Sequence, residues 1–326
     1  MTAKLYLGEA MGLLLKTLPF IWIRLGTYAL LGIGLGLYLA VAAGVAWLLG
    51  QILGFLGVLV FFVAIGGAWA LVQWAKRYFF YLLQAAHIAV MTEYIVYGRG
   101  PERGQVQYGK QQVMSRFKDT SILFAVDRLL YGVVTRINRS FARLTRILPI
   151  PGMNNLNKIV EQVSKFSITY IDAAILSRAY QKREQNVWAV AEDGVILYAQ
   201  SWKPVLTNAV ALTIISYLEM VVVLVVLGLP AIALGAVIPV PAVRTFLGIL
   251  VLVGVWMFKL AVSDAYAMAA TLLAYHRATD GVAPNPEWKA RLSEASEQFR
   301  TLSQRAASAV SDATSFPGDQ PEVAPE

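Results

Sequence analysis

No charged residue occurs between Arg24 and Lys76, a run of 51 positions. A helix needs about 20 apolar residues, each rising about 1.5 Å, to cross the hydrocarbon core of a bilayer. The run is therefore long enough for two transmembrane helices joined by a short turn. We predict the turn near residues 50–54, because Gln51 and two glycines interrupt the apolar sequence there. This feature places the chain among the multi-pass membrane proteins.

The amino-acid composition agrees with a membrane protein. Hydrophobic residues make up 57% of the 326 positions and charged residues 15%, whereas soluble domains contain roughly 45–50% and about 25%. This balance excludes a disordered chain and argues against a nucleic-acid partner. Cysteine is absent and only two histidines occur, so no disulfide or metal site is expected. No catalytic motif is found, and we expect neither enzyme activity nor a cofactor.

A second apolar hairpin is predicted over residues 205–277. Its connection is expected to run from Gly228 to Pro241, where three prolines interrupt the helical pattern. Basic residues flank both hairpins, and residues 99–204 between them carry 16 basic against 8 acidic side chains. Because basic loops stay in the cytoplasm, both termini and this centre are predicted inside, with the spans in the plasma (inner) membrane. The expected fold is all-α, with four transmembrane helices in two hairpins.

Composition and charge divide the chain into six segments. Residues 79–97 are apolar enough for a fifth span, but three polar side chains interrupt them and a fifth span would break the charge pattern. They are interpreted as an extension of the second helix that leaves the membrane. The segments are an N-terminal interfacial helix (1–24), a first transmembrane hairpin (25–78), a cytoplasmic or interfacial helical region (79–204), a second hairpin (205–277), a cytoplasmic amphipathic helix (278–311) and a disordered acidic tail (312–326).

The segment from Ile122 to Leu148 has the pattern of a basic amphipathic helix. At about 100° per residue, its five arginines share one edge and its apolar residues share the opposite arc. Such a helix lies in the membrane interface, where arginines reach the headgroups of anionic phospholipids. The alternative is a helix docked on the cytoplasmic face of the protein itself. The residues assigned to anionic lipid are Arg128, Arg136, Arg139, Arg143 and Arg146.

Two ionisable residues lie deep in the second hairpin, Glu219 on the third span and Lys259 on the fourth. They are expected at matching depth on neighbouring antiparallel helices. A lone charge in lipid costs at least about 2.5–3.5 kcal/mol, so we expect the two to pair or to face a wet cavity. The pair either lies on a substrate or ion path, where an acid and aromatic rings bind an organic cation, or fixes the register of two helices. The candidate path residues are Tyr217, Glu219, Trp256, Lys259, Ser263, Asp264 and Tyr266.

The last span reads Ser-Asp-Ala-Tyr-Ala-Met-Ala-Ala-Thr-Leu over residues 263–272 and is followed by Asp280-Gly281. This order resembles the C-terminal membrane region of the choline transporter-like family, and the likeness extends over residues 80–281. Residues 170–175 and Lys203-Pro204 stand where that family has its preceding helix and its entry into the hairpin. The chain departs from the family in lacking cysteine and in having fewer spans. The resemblance implies transport as a class of function.

The function predicted from the sequence is a transporter or permease-like protein for a small polar or cationic solute. A non-transporting oligomeric membrane scaffold or accessory subunit, which binds anionic lipid and partner proteins, is the alternative. Substitution of Glu219 distinguishes the two functions, because transport along a substrate path would need its charge and a scaffold would not.

The apolar residues after Pro286 recur at alternating spacings of 4 and 3 residues. This heptad pattern is typical of a coiled-coil seam. It predicts a homo-oligomer held together through the segment Trp288–Ala309, and packing against the protein's own cytoplasmic domain is the alternative. The seam residues are Trp288, Leu292, Ala295, Phe299, Leu302, Ala306 and Ala309.

Overall fold

The computed structural model describes residues 5–102, 104–117, 120–147, 170–238 and 240–314, and these residues form an all-α structure of eleven helices. Four of the helices are long and apolar enough to cross a membrane, which indicates a multi-pass membrane protein. In chain order the helices are α1 (Leu7–Lys16), α2 (Leu18–Ile52), α3 (Gly54–Tyr97), α4 (Gln105–Arg116), α5 (Thr120–Ile147), α6 (170–181), α7 (Val187–Gln200), α8 (Trp202–Val237), α9 (Pro241–Phe258, continued by Lys259–Ser263 and Asp264–Ala278), α10 (Pro286–Ala295) and α11 (Glu297–Thr314).

Helices α2 and α3 form the first hairpin, and the extended residue Leu53 separates them. The Leu53 amide donates to the Leu49 carbonyl at 3.0 Å, so the turn keeps its backbone hydrogen-bonded, as a bilayer requires. The two backbones approach closely at Gly57, where a Cβ would lie 2.8 Å from the Gly50 Cα. Glycine at these positions allows the approach. The predicted position of this turn is confirmed.

The second hairpin turns later than the sequence suggested. Helix α8 continues through Pro230 to Val237, and α9 begins at Pro241. The predicted connection from Gly228 to Pro241 is therefore wrong over residues 228–237, which are helical. Proline inside a helix removes one hydrogen bond, whereas ending the helix within lipid would leave several backbone groups without partners. Pro241 stands in the first turn of α9, where the missing amide hydrogen costs nothing.

Helices α3 and α9 each run from the membrane into the packed part of the chain. Each contains one π-helical turn, Lys76–Phe80 in α3 and Lys259–Ser263 in α9. After these turns the side chains become buried, as at Met91 of α3 and Tyr275 of α9. Helix α3 is continuous to Tyr97, so residues 79–97 extend the second helix as expected, and their departure from the membrane stays a prediction.

The core lies at one end of the two hairpins. We call this part the helical domain; it combines α1, α4–α7, α10 and α11 with the adjoining ends of the four long helices. By contrast, only 0% to 17% of the side chains in the most apolar windows of those helices are buried. The outer parts of the hairpins therefore expose their side chains to lipid. Fully buried side chains of the helical domain include Phe20, Ile88, Met91, Leu130, Ile171, Tyr198, Tyr275 and Phe299.

The predicted seam of the C-terminal segment is split at Ser296, where α10 ends and α11 begins. Phe299 and Leu302 are fully buried within this single chain, and α11 packs against α7. The Glu192 carboxylate of α7 pairs with Lys289 Nζ at 2.8 Å and accepts a hydrogen bond from Ser303. These seam residues therefore pack within the chain, as the alternative stated, and the homo-oligomer stays a prediction. The disordered tail is predicted from residue 312, but α11 continues to Thr314, and residues 315–326 lie outside the described residues.

Candidate functional site

The ionisable side chains of the second hairpin do not pair as the sequence suggested. Lys259 Nζ lies 3.0 Å from Oδ1 of Asp264, on the same helix. The Tyr170 hydroxyl of α6 donates to the same oxygen at 2.8 Å. The expected ion pair between Glu219 and Lys259 is therefore wrong, and the acid that neutralises Lys259 is Asp264.

The π-helical turn Lys259–Ser263 explains this change of partner. In an α-helix, residues five apart point about 140° away from each other, because one turn takes about 3.6 residues. A π turn closes its hydrogen bonds between residues five apart and brings them to one face. Asp264 thereby becomes the nearest acid to Lys259 without any contribution from α8.

Glu219 lies at a separate place, beside an apolar cavity of about 560 Å³. The cavity lies between α1 with the start of α2 on one side and α8 with α9 on the other, and Trp22 and Phe258 are among its lining residues. Ser263 is the polar residue that faces Glu219 from α9. Tyr266 also lines this cavity, and its hydroxyl donates to the Leu7 carbonyl at 3.2 Å.

Two of the predicted path residues face outward instead. Tyr217 and Trp256 are 55% and 57% exposed, which places them toward lipid. Lys259 Nζ lies 5.9 Å from the centre of the Trp256 ring, a cation–π contact. The seven predicted residues thus divide among the Asp264 cluster, the Glu219 cavity and the lipid-facing surface.

A smaller cavity of about 80 Å³ lies beside Asp264, where the hairpins enter the helical domain. Four helices contribute to it, and the rings of Tyr28 and Phe80 stack across one side at 4.3 Å between centroids. The residues that line it are Arg24, Tyr28, Phe80, Leu83, Gln84, Tyr170, Leu260, Asp264 and Met268. Polar and charged groups from α2, α3, α6 and α9 therefore converge on one small space.

Arg24 is the residue of this cavity that sequence reasoning missed as a site residue. Its side chain is only 6% exposed, and its Nη2 is buried with no hydrogen-bond partner among the described residues. Asp264 acts on it electrostatically, but no ion pair joins the two in that part of the chain. In the sequence, Arg24 served only as one of the basic residues that predict the orientation of the first hairpin. The available signal was a single arginine at the edge of a long uncharged run.

The apolar arc of α5 faces the protein. Leu123, Val126 and Leu130 are buried in the core of the helical domain. Over residues 122–136 the interfacial prediction is therefore replaced by its alternative, a helix docked on the protein itself. Periodicity could not decide this, because lipid and a protein core are equally apolar partners for the arc.

The arginines of α5 are described in part. Arg128 and Arg136 are exposed, and Arg136 Nε donates to the Ala295 carbonyl of α10 at 3.1 Å. Arg136 thus links α5 to the C-terminal helices. The side chains of Arg139, Arg143 and Arg146 lie outside the described residues. Binding of anionic lipid by these five residues stays a prediction.

The helical domain holds a pair of buried carboxyl groups that the sequence did not single out, Asp127 of α5 and Asp172 of α6. Burial raises the pKa of Asp127 to about 6. Burial and the neighbouring charge of Asp127 raise the pKa of Asp172 well above its ordinary value. The Tyr81 hydroxyl of α3 faces Asp127. The two carboxyl groups therefore hold their protons to higher pH than exposed aspartates do.

Within the described ranges, no group of three or more histidine, aspartate or glutamate side chains is placed to hold a metal ion. Comparison of the chain with protein-family models, with curated proteins and with solved structures finds no match. The likeness to the choline transporter-like family therefore rests on the residues quoted above and stays a prediction.

Proposed function

We propose that this protein is a non-transporting membrane scaffold or accessory subunit, anchored in the inner membrane by two hairpins, with both termini and its helical domain in the cytoplasm. The observation that carries the proposal is the separation of the packed core from the spans. The core lies at the domain end of the hairpins, while the membrane-spanning windows are at most 17% buried. Spans that enclose a substrate path would bury polar side chains along their length.

The distribution of polar residues along the spans supports the same proposal. Between Tyr28 and Gln73 the polar side chains, tryptophans apart, are Tyr38 and Gln51. Only apolar residues and glycine lie between Glu219 and Pro230, and Arg244 and Thr245 stand next to the second turn. In the outer part of the bilayer, the spans of one chain therefore offer almost no side chains that could form hydrogen bonds with a solute. This favours an anchor over a permease.

The basic surface supports an interaction with anionic lipid. Residues 99–204 carry the excess of basic side chains, and Arg128 is exposed on α5. Each lysine or arginine near an anionic leaflet contributes about 1 kcal/mol of attraction. Binding to anionic phospholipid would hold the helical domain against the membrane surface and present its remaining faces to partner proteins.

The transport alternative is tested by reconstitution. The purified protein is placed in liposomes, and uptake of radiolabelled choline and of other small organic cations is compared with protein-free liposomes. We expect equal rates, and we expect Glu219→Gln to leave them unchanged. Uptake above the protein-free rate that is lost in Glu219→Gln would contradict the proposal and support a transporter.

The lipid interaction is tested by quenching tryptophan fluorescence with brominated lipids in reconstituted vesicles. We expect brominated phosphatidylglycerol to quench more strongly than brominated phosphatidylcholine, and Arg128→Gln to reduce this preference. Arg291→Gln changes an exposed arginine of α10 and is the matched control, which should keep the preference. Equal quenching by the two lipids in the unmodified protein would contradict the lipid-binding part of the proposal.

A further inference from the structure

We propose that the cavity lined by Arg24, Tyr28, Tyr170 and Asp264 is a binding site for one phosphate group, either a free phosphate ion or the phosphomonoester head of a lipid. The proposal starts from Arg24. Its guanidinium is buried, and its Nη2 has no hydrogen-bond partner among the described residues. A buried guanidinium with an unsatisfied N–H group is unfavourable, and an anion in the cavity would accept the missing hydrogen bond.

The charges around the cavity favour an anion over a cation. Arg24 and Asp264 line the cavity, and Lys259 pairs with Asp264 at 3.0 Å. The Asp264 Oδ1 already accepts hydrogen bonds from Lys259 Nζ and from the Tyr170 hydroxyl. Its charge is therefore largely neutralised by Lys259, and the positive charge of Arg24 remains in excess.

The donors suit a tetrahedral oxyanion. The guanidinium of arginine presents paired N–H groups that match two oxygens of a phosphate. Tyr28 and Gln84 line the same cavity from α2 and α3, and a tyrosine hydroxyl and a glutamine amide are both hydrogen-bond donors. Asp264 also lines the cavity, and a carboxylate can accept a hydrogen bond from a protonated phosphate oxygen. A carboxylate ligand would use fewer of these groups.

The size and position of the cavity narrow the ligand further. Its volume of about 80 Å³ exceeds the space that one water needs, yet it is far below the roughly 300–1,000 Å³ of common small-molecule pockets. It therefore fits a phosphate group and excludes the rest of a larger solute. Because the cavity lies where the hairpins enter the helical domain, a free ion and a lipid headgroup are both candidate sources of the phosphate group.

The first experiment measures binding of inorganic phosphate to the full-length protein in detergent by titration calorimetry, at constant ionic strength in chloride. We expect one phosphate per chain. Arg24→Gln should weaken the affinity about tenfold or more, which corresponds to about 1.4 kcal/mol. Asp264→Asn should strengthen it several-fold, because it removes a like charge and frees Lys259. Arg291→Gln on exposed α10 should leave it unchanged.

The opposite directions of the two variants separate a binding role from a structural one. A purely structural cluster would lose stability in both and would show no gain in affinity in either. If Arg24→Gln fails to fold, Arg24→Lys keeps the charge and loses the paired donors, and an intermediate loss of affinity is expected. No phosphate binding by the unmodified protein, or equal affinity in all variants, would overturn the proposal.

The second experiment distinguishes the two sources of the phosphate group. Bound phosphate is competed with phosphatidic acid in phosphatidylcholine nanodiscs, and phosphatidylcholine alone is the control. Displacement by phosphatidic acid that is lost in Arg24→Gln identifies the lipid headgroup as the ligand. Phosphate binding that phosphatidic acid does not displace identifies the free ion. Displacement that persists in Arg24→Gln would place the lipid elsewhere and contradict a headgroup in this cavity.

Discussion

Lys259 and Asp264 form an ion pair of 3.0 Å within one membrane helix, five residues apart, because the helix makes a π turn between them. The pair is held from the other side by the Tyr170 hydroxyl of α6. It therefore joins the second hairpin to α6 of the helical domain. It also satisfies Lys259 without Glu219, so each acid of the hairpin has a different environment.

The new pairing predicts the outcome of a double-mutant cycle. The coupling energy between Lys259 and Asp264 is expected to be about 1–3 kcal/mol, since the two are in contact and partly buried. The coupling between Lys259 and Glu219 should lie within about 0.5 kcal/mol of zero, because they do not touch. Thermal unfolding of Lys259→Met, Asp264→Asn, Glu219→Gln and the two double variants measures both. A larger coupling to Glu219 would restore the pair that the sequence suggested.

The comparison between sequence and structure shows which kind of information periodicity carries. The turn near residues 50–54 was predictable, because its glycines and glutamine are local in the sequence. The Lys259–Asp264 pair was not predictable. A π turn changes which residues share a face of the helix, and the apolar sequence around it has no pattern that indicates such a turn. Helical periodicity also identified the buried arc of α5, although it could not name the surface that covers it.

The burial of Arg24 depends on parts of the chain that local patterns do not connect. Tyr170 and Asp264 are far from it in sequence, and they reach the cavity only because α6 and α9 pack beside α2. The same holds for Phe299, whose heptad spacing fits a partner chain and α7 equally well. Sequence patterns therefore predicted the elements and their apolar faces, while tertiary packing decided the candidate site.

The contact between α3 and α4 depends on Gly109. A Cβ at this position would lie 2.6 Å from the Ala86 carbonyl oxygen, which is backbone and cannot turn away. Gly109→Ala should therefore lower the free energy of unfolding by about 1–3 kcal/mol, measured by thermal or denaturant unfolding. Gly12→Ala in α1 is the control, because no atom lies within 4 Å of its Cβ and the change should stabilise the helix by up to about 1 kcal/mol. Equal effects of the two would contradict the close approach.

The buried acids predict a stability that falls as the pH rises. The pKa of Asp127 in the folded protein is about 6, raised from 3.8 by burial. The unfolded chain releases this proton at lower pH, so the free energy of unfolding decreases between about pH 4 and pH 6. Asp127→Asn removes the titration and should gain about 3 kcal/mol over the unmodified protein at pH 7.

This pH dependence is measured by unfolding in a matched buffer series. Asp280→Asn, at an exposed position after α9, is the control and should follow the unmodified protein at every pH. Parallel curves for Asp127→Asn and the unmodified protein would show that the carboxyl of Asp127 is not held protonated by the fold.

The topology predicts which positions react with a membrane-impermeant thiol reagent. The chain has no cysteine, so single cysteines can be introduced without background. Gln51 and Ala236 are exposed near the two hairpin turns, and Gln107 is exposed on α4 of the helical domain. Cysteine at Gln51 or Ala236 should react from outside intact cells, and cysteine at Gln107 should react only after lysis. Labelling at Gln107 in intact cells would reverse the orientation.

A substitution in the C-terminal helix α11 can decide whether its apolar seam stabilises the fold of one chain or a contact between chains. Phe299 of α11 is fully buried within one chain. Phe299→Ala is therefore expected to lower the free energy of unfolding by about 3–5 kcal/mol, through lost burial and the cavity that remains. The mass of the detergent-solubilised protein, measured by light scattering, should not change. Gln304→Ala on the exposed face of α11 is the control, and it should change neither quantity. A shift of the Phe299→Ala variant from oligomer to monomer without loss of stability would assign the seam to a contact between chains.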